Sequence, residues 1–352
     1  RICPDNLGIA ARNGPQMIDS LPQPRTTDPA SVPALRWGVI GTGWIADRFV
    51  TTVTRNTSQR IVAVGSRSPE RAREFAEGHG IEMACGSYEE LVAQDVDVVY
   101  VATGHLDHAS HARLALEAGR NVLVEKPMTP TVEATRELVE LARGKGLFCM
   151  EAVWSLALPR FDVVRQVLAA DLLGRIEAVT VDMGEYLVDH RRAMDPAQGG
   201  GAMNDLGIYP LMFADWVLPG VEVVAAAGPR HATGAVGQFM ALLGDGEGRQ
   251  ASVFASMLTD TPSVAVIGGS EATLVLDGPF YRPGPVEVRF RDGRVLSWDE
   301  PRIHHEGLFH EAVEVARCIT AGLTESPLRP LDATIATVEL MERARALMND
   351  PA

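Results

Sequence analysis

Between Leu35 and about Met150, short apolar runs alternate with longer stretches whose apolar positions recur at helical spacing. The runs are LRWGVI, IVAVG, VDVVYVA, NVLVE and LFCM. Segments this rich in Val and Ile, apolar on successive positions, predict strands buried on both faces. The stretches between them carry helix starts. Ser68-Pro69 supplies an N-cap and a first-turn proline, Ser87 with Glu90 forms a capping box, and Thr129-Pro130 repeats the first device. Strands separated by helices pair in parallel through right-handed crossovers, so a doubly wound α/β sheet is predicted over residues 35–154.

After Trp154 the pattern changes. A helix over about 159–170 leads into RIEAVTVDMGE, then a loop-rich excursion, a glycine-rich turn at Gly199 to Gly201, and a helix toward Trp216. From Val221 to Trp298 the signals are strand and hairpin, with Asp292-Gly293 as a tight turn between VEVRF and RVLSW. This order predicts an α+β domain over 155–330 built on a large, mainly antiparallel sheet. Its own helices cover one face only, which leaves an open face for a partner subunit. Helical patterns over about 305–321 and 331–348 follow, the segment 331–352 packing back on the body of the protein. His304-His305 caps or precedes the first of these helices.

Composition narrows the function classes. With 352 residues, 46% of them hydrophobic, the chain can bury two cores. A formal net charge of −14 argues against a nucleic-acid partner, which needs a dense basic surface. Cys3, Cys85, Cys149 and Cys318 show no ligand or disulfide-framework spacing, which suits a reducing, cytoplasmic setting. No apolar run approaches the roughly 18 residues of a membrane span. Residues 1–34 hold six prolines and little periodicity. They read as an extended arm, an expression leftover or an upstream extension, and carry no functional reading.

The first strand ends in Gly41-Thr42-Gly43-Trp44-Ile45-Ala46 and passes into a helix. In that context GxGxxA predicts a dinucleotide site: Gly41 allows the tight turn, Gly43 lets a pyrophosphate approach, and Ala46 lets the helix pack closely. The second strand ends in Ser66-Arg67-Ser68, where sites selective for NAD carry a carboxylate. A hydroxyl and a guanidinium suit a 2′-phosphate, so NADP is favoured over NAD, with Arg71 a second phosphate contact. The competing reading pairs Arg67 with Glu70 on the surface.

The fifth run ends in Glu125-Lys126-Pro127, at the sheet edge where ligands bind. Pro127 fixes the backbone there and can take the cis form. Lys126 either neutralises Glu125 or meets a ligand. The block GGGAMNDLGIYP, residues 199–210, places Asp205 and Tyr209 four apart, on one face of a helix. Lysine, carboxylate and phenol together can handle a proton, and an adjacent ammonium favours the phenolate. Taken without the lysine, Asp205 and Tyr209 read as a capping carboxylate and a core aromatic. His105, His108 and His111 are spaced by three, but no carboxylate or cysteine cluster completes a metal set, and no metal is expected. Met194, Met203 and Met212 read as packing.

On GTGWIA, VEKPM, EAVW at Glu151 to Trp154, GGGAMNDLGIYP and VARCITAGLTESP, the chain from about Leu35 to Leu347 resembles the glucose-fructose oxidoreductase and inositol dehydrogenase family (Gfo/Idh/MocA). It is most similar to the branch holding dimeric dihydrodiol dehydrogenases and NADP-dependent D-xylose dehydrogenases, where a tyrosine replaces the histidine of many relatives, matching Tyr209. The resemblance implies a Rossmann domain followed by an open-faced sheet used for homodimerisation. It implies hydride transfer between NADP and a secondary alcohol of a sugar, polyol or cyclic diol. Tyr209 would be the general acid/base, Lys126 would position nicotinamide and substrate, and Asp205 would bind a substrate hydroxyl. Ser66 and Arg67 match 2′-phosphate contacts, and Thr103, His108, Glu125, Pro127 and Trp154 match positions beside the cofactor. Two alternatives remain: a non-catalytic NAD(P)-binding redox sensor, and a sugar–sugar oxidoreductase that never releases its cofactor.

The chain departs from the family pattern twice. Thr103-Gly104-His105 stands where relatives commonly carry Thr-Pro, and Ser155-Leu156-Ala157 where they often carry Thr-Arg-Phe, removing an arginine from the substrate side. Substrate contacts are expected from loops at 155–200 and 229–238, with Tyr186, Asp189, His190 and Arg191 as candidates.

Overall fold

The five apolar runs and a three-residue strand form one parallel sheet, seen in a computed structural model that describes residues 18–301 and 305–350. The strands are β1 (Arg36–Ile40), β2 (Arg60–Gly65), β3 (Met83–Cys85), β4 (Val98–Val101), β5 (Asn121–Glu125) and β6 (Cys149–Ala152). They lie in the order β3-β2-β1-β4-β5-β6, all parallel, so the chain order reverses between β1 and β4. A ligand crevice opens beyond the strand ends at such a reversal. β4 is buried at every residue, as its uninterrupted VVYV predicts.

The connecting helices are α1 (Trp44–Asn56), α2 (Pro69–His79), α3 (Tyr88–Val92), α4 (His108–Glu117) and α5 (Val132–Lys145). Ser68 caps α2 through the Arg71 N–H (3.3 Å), and Ser87 caps α3 through the Glu90 N–H (3.0 Å). α5 starts two residues later than Thr129-Pro130 predicts. Thr131 is the residue whose hydroxyl accepts from the helix, from the Ala134 N–H (3.3 Å). Thr129 is instead buried, its hydroxyl donating to the Thr131 carbonyl (2.8 Å).

Beyond Trp154 come α6 (Pro159–Ala169) and β7 (Ile176–Gly184). A π-wound turn, Met203–Gly207, then runs into α7 (Ile208–Val217). Pro210 lacks the N–H that would pair with the Leu206 carbonyl in a regular helix, and the turn before it is wound wide. The remaining strands are β8 (Glu222–Ala227), β9 (Gln238–Gly244), β10 (Gln250–Ser256), β11 (Ala265–Gly269), β12 (Ala272–Leu276), β13 (Val286–Phe290) and β14 (Val295–Trp298). The eight-stranded sheet runs β14-β13-β12-β11-β7-β10-β9-β8, antiparallel throughout except for the pair β7 and β10. α6 and α7 pack on one face of it, and its other face exposes Val224, Met240 and Leu242.

Two final helices tie the sheets together. α8 (Phe309–Thr320) follows the second sheet in sequence but packs under the first, its Ala312, Val315 and Cys318 joining the core around Trp37 and Tyr100. α9 (Leu331–Met348) lies between α5 and β8. Arg329, just before it, is buried and bridges Glu151 at 2.6 Å. His304 lies outside the described residues, as do residues 1–17 of the proline-rich arm. The rest of that arm crosses α6, where the Arg25 N–H donates to Asp162 (2.7 Å).

Candidate active site

The nucleotide groove is built at the β1–α1 turn. Gly41 has φ +109°, and a Cβ there would stand 2.5 Å from the Ala102 carbonyl oxygen, so no side chain fits. Gly43 caps α1 with open space around it. The N-terminus of α1 therefore opens on the groove, a setting suited to a pyrophosphate. Ala46 is buried beneath them. The groove, about 830 Å³, is lined by Gly41, Thr42, Gly43, Trp44, Ile45, Ser66, Arg67, Arg71 and Thr103, all positions singled out from the sequence. Trp44 stands 57% exposed at its mouth. Glu70 is engaged by Arg73 (3.1 Å) and Ser68, so the surface pairing of Arg67 with Glu70 does not form. Arg67 faces Tyr88 instead. At the tip of β2 stand Ser66, Arg67 and Ser68, with Arg71 on α2, and the carboxylate that lines the groove, Asp107, comes from the turn before α4. The residues present fit a phosphorylated dinucleotide.

A second cavity, about 530 Å³, shares Trp44, Ile45, Thr103, His190 and Arg192 with the groove and continues it inward. Here the two halves of the chain meet. Lys126 Nζ, from the end of β5, donates to the Asp205 backbone carbonyl (2.7 Å) and lies 5.2 Å from the centroid of the Tyr209 ring. Trp154 Nε1–H donates to the Tyr209 hydroxyl (3.1 Å). Asp205 points one carboxylate oxygen toward His105 (4.0 Å) and Arg192 (3.8 Å). Its other oxygen is buried with no hydrogen-bond partner among the described residues. Burial pushes the Asp205 carboxyl up, with Lys126 and Arg192 pulling the other way.

The phenolate expected from the lysine does not arise. Burial, reinforced by the charge of Glu125, pushes the Tyr209 phenol well above its ordinary range, and the Trp154 hydrogen bond only partly opposes this. Tyr209 is a protonated phenol at neutral pH. Behind it, Tyr100 donates to Glu125, and burial raises the pKa of both. Glu311 on α8 is fully buried beside Glu125, and burial holds its carboxyl well above the usual carboxylate range.

The remaining sequence candidates divide. Glu125, His108 and Trp154 line the second cavity. The Lys126–Pro127 peptide bond is cis, and the Pro127 carbonyl is held by His108 Nδ1 at 2.8 Å. His108 Nε2 also lies 3.2 Å from the Thr103 carbonyl, and because a neutral imidazole carries one N–H, the ring donates to one of these two carbonyls at a time. Burial lowers the pKa of His105, His108 and His111, which keeps them neutral. Among the described residues no group of three His, Cys, Asp or Glu is placed to hold a metal. His190 lines both cavities, whereas Tyr186, Asp189 and Arg191 are exposed and line neither, and the 229–238 loop stays away from both. Sequence reasoning missed Glu185, Arg192, Tyr281 and Arg282, all on the cavity wall. Only Glu185, the last letter of a strand already recognised, left a signal.

Fold and site together define an NAD(P)-binding oxidoreductase with a buried acid/base cluster. The chain belongs to the Gfo/Idh/MocA family and is an NAD(P)-dependent dehydrogenase of it. Residues 35–153 match the model of the oxidoreductase family with an NAD-binding Rossmann fold, and residues 161–275 match the GFO/IDH/MocA C-terminal domain. A trans-1,2-dihydrobenzene-1,2-diol dehydrogenase of Bos taurus is 35% identical, covering 89% of this chain and 96% of the relative. The Homo sapiens protein of the same name is 34% identical over the same shares. A 3-ketoreductase from Actinomadura kijaniata, solved in complex with NADP and TDP-benzene, is 26% identical with a TM-score of 0.80, covering 90% of this chain and 99% of that one.

Proposed function

We propose that the protein transfers a hydride between NADP and a secondary alcohol of a sugar, polyol or cyclic diol. The observation that carries this reading is the convergence of Lys126, Asp205 and Tyr209, from two sheets, on one cavity continuous with the nucleotide groove. Ser66, Arg67 and Arg71 would hold the 2′-phosphate, and the α1 N-terminus the pyrophosphate. The nicotinamide supplies the hydride acceptor or donor. In the reducing direction the protonated Tyr209 phenol gives its proton to the substrate oxygen, and Lys126 stabilises the developing alkoxide. In the oxidising direction the Tyr209 phenol first gives up its proton to solvent, and the phenolate then takes the proton of the substrate hydroxyl. Asp205, which lines the cavity, accepts from a substrate hydroxyl. Trp154, Leu206 and Leu308 line the cavity and limit the water that can enter it.

The relatives named for a diol dehydrogenase and a ketoreductase support an alcohol–carbonyl pair as substrate and product. Two bodies, divided near residue 154, would then meet at the site. The bare sheet face of β8 and β9 would pair with a second copy. Among the described residues no helix is long and apolar enough to cross a membrane, and Cys85, Cys149 and Cys318 are buried free thiols, in keeping with the cytoplasm. A panel of aldopyranoses, polyols and cyclic trans-diols, followed at the reduced-nicotinamide absorbance, tests the reading. NADP-linked turnover well above NAD-linked turnover is expected with at least one class. Tight NADPH binding with no turnover across the panel would replace the dehydrogenase by a redox sensor.

A further inference from the structure

Across the second cavity from Lys126 stands a wall of three side chains. Glu185 follows directly on β7, and Tyr281 and Arg282 come from the loop between β12 and β13. The Tyr281 hydroxyl donates to Glu185 Oε1, and Arg282 Nη2 donates to the same oxygen (3.0 Å). The Arg282 guanidinium lies 5.1 Å from the centroid of the Tyr281 ring, which in turn lies 5.1 Å from that of Tyr209. Both protein donors therefore go to Oε1. Oε2 receives no hydrogen bond from the described residues, and the side chain remains 32% exposed.

This wall is rigidly supported from behind. Arg160, fully buried on α6, donates to four carbonyls of the loop: Asp277 (3.1 Å), Pro279 (3.2 Å), Arg282 (2.7 Å) and Pro285 (2.6 Å). A guanidinium has five donors in a fixed fork, so four such contacts hold the loop in one conformation. The loop in turn holds Tyr281 and Arg282 against Glu185. Met183, Leu187 and Leu308 line the same cavity, giving an apolar surface that a ring face can cover.

We propose that Glu185, oriented by Tyr281 and Arg282, determines substrate specificity by accepting a hydrogen bond from a second hydroxyl of a neutral ring substrate. The same carboxylate cancels the Arg282 charge, so an acid sugar or sugar phosphate gains nothing from that guanidinium and meets a like charge in Oε2. The inference rests on the dehydrogenase reading and names its substrate class: uncharged polyhydroxylated rings.

The test uses the full chain with NADP and three substrate groups: neutral sugars or cyclic diols, glycuronates, and amino sugars. Glu185→Gln keeps the shape of the side chain but frees Arg282. The KM for the best neutral substrate should rise about tenfold with a far smaller change in kcat, as expected when one hydrogen bond to a charged acceptor is weakened. Glycuronate kcat/KM should rise by about tenfold as Arg282 becomes available. Arg282→Met should do the converse, leaving Glu185 unopposed and favouring amino sugars; it decides the matter if Glu185→Gln fails to bind NADPH. An active parent enzyme whose KM values and charge preference are unmoved in both variants overturns this inference alone. A parent that binds NADPH but turns over nothing removes the dehydrogenase reading and this inference with it.

Discussion

Replacing Tyr209 by Phe isolates the phenolic proton from everything else the side chain does. The ring is buried between Trp154, Lys126 and Tyr281, and Phe keeps its volume and its tilted packing, centroids 5.1 Å apart, against Tyr281. The structural loss is one hydrogen bond, that from Trp154 Nε1 (3.1 Å), costing about 1 kcal/mol of stability. The catalytic loss is larger. A positioned general acid contributes roughly 10²- to 10⁴-fold, or about 3–5 kcal/mol of barrier. Tyr209 is not among the residues that line the nucleotide groove, so NADPH affinity should change by less than about twofold. Steady-state kcat in both directions, with NADPH binding followed by fluorescence titration, separates the two effects. Because Tyr209 stays protonated well into the alkaline range, kcat for carbonyl reduction in the parent enzyme should show no fall at neutral pH from this group. A Phe variant that keeps more than about a tenth of the parental kcat would refute Tyr209 as the proton donor.

Three further outcomes are expected. Arg67→Ala should lower kcat/KM for NADP by about 10- to 100-fold and leave that for NAD nearly unchanged, since only the 2′-phosphate needs the guanidinium; equal losses with both cofactors would place the phosphate elsewhere. Burial lowers the His310 pKa from 6.5 to about 4, so the unfolded chain takes up a proton that the folded chain refuses as pH falls from 6.5 toward 4, and stability drops with it. Urea unfolding at pH 7 and pH 5 should differ by about 2 kcal/mol less in His310→Gln than in the parent; an unchanged difference assigns the acid sensitivity to other groups. Met240→Glu, on the bare face of β9, should convert a dimer to a monomer by analytical ultracentrifugation, because it buries an unpaired charge; a parent that is already monomeric rules out that interface.

What the sequence disclosed followed from local physics. Gly41 and Gly43 are legible because a tight turn and an open helix start admit few alternatives, and the parallel strands because apolar runs such as VVYV tolerate no solvent face. Lys126 and Tyr209 could be paired only through the resemblance, since 83 positions separate them in sequence. Tyr281, Arg282 and Arg160, and their meeting with Glu185, were invisible for the same reason. Their meeting depends on which strand of the second sheet lies beside which, and β7 pairs with β10 and β11 rather than with its sequence neighbour. The charge state of Tyr209 was misjudged because a nearby ammonium is visible in a sequence motif, while depth of burial is not. The helix α8 crossed back to the first sheet for a reason equally long-range, its Ala312, Val315 and Cys318 fitting beneath Trp37 and Tyr100.

The C-terminal helix has a bearing on how the nucleotide comes and goes. Arg345 on α9 donates to the Pro130 carbonyl (3.0 Å), four residues past Lys126, and to the side chain of Asn204, next to Asp205. Glu342 accepts from the Val132 N–H (2.7 Å), and Arg329 grips Glu151. One element thus rivets the lysine loop to the segment carrying the phenol, with no ligand required to draw them together. Trp44, His190 and Arg192 line both the nucleotide groove and the inner cavity, so on this fastened frame a nucleotide would come and go past those side chains.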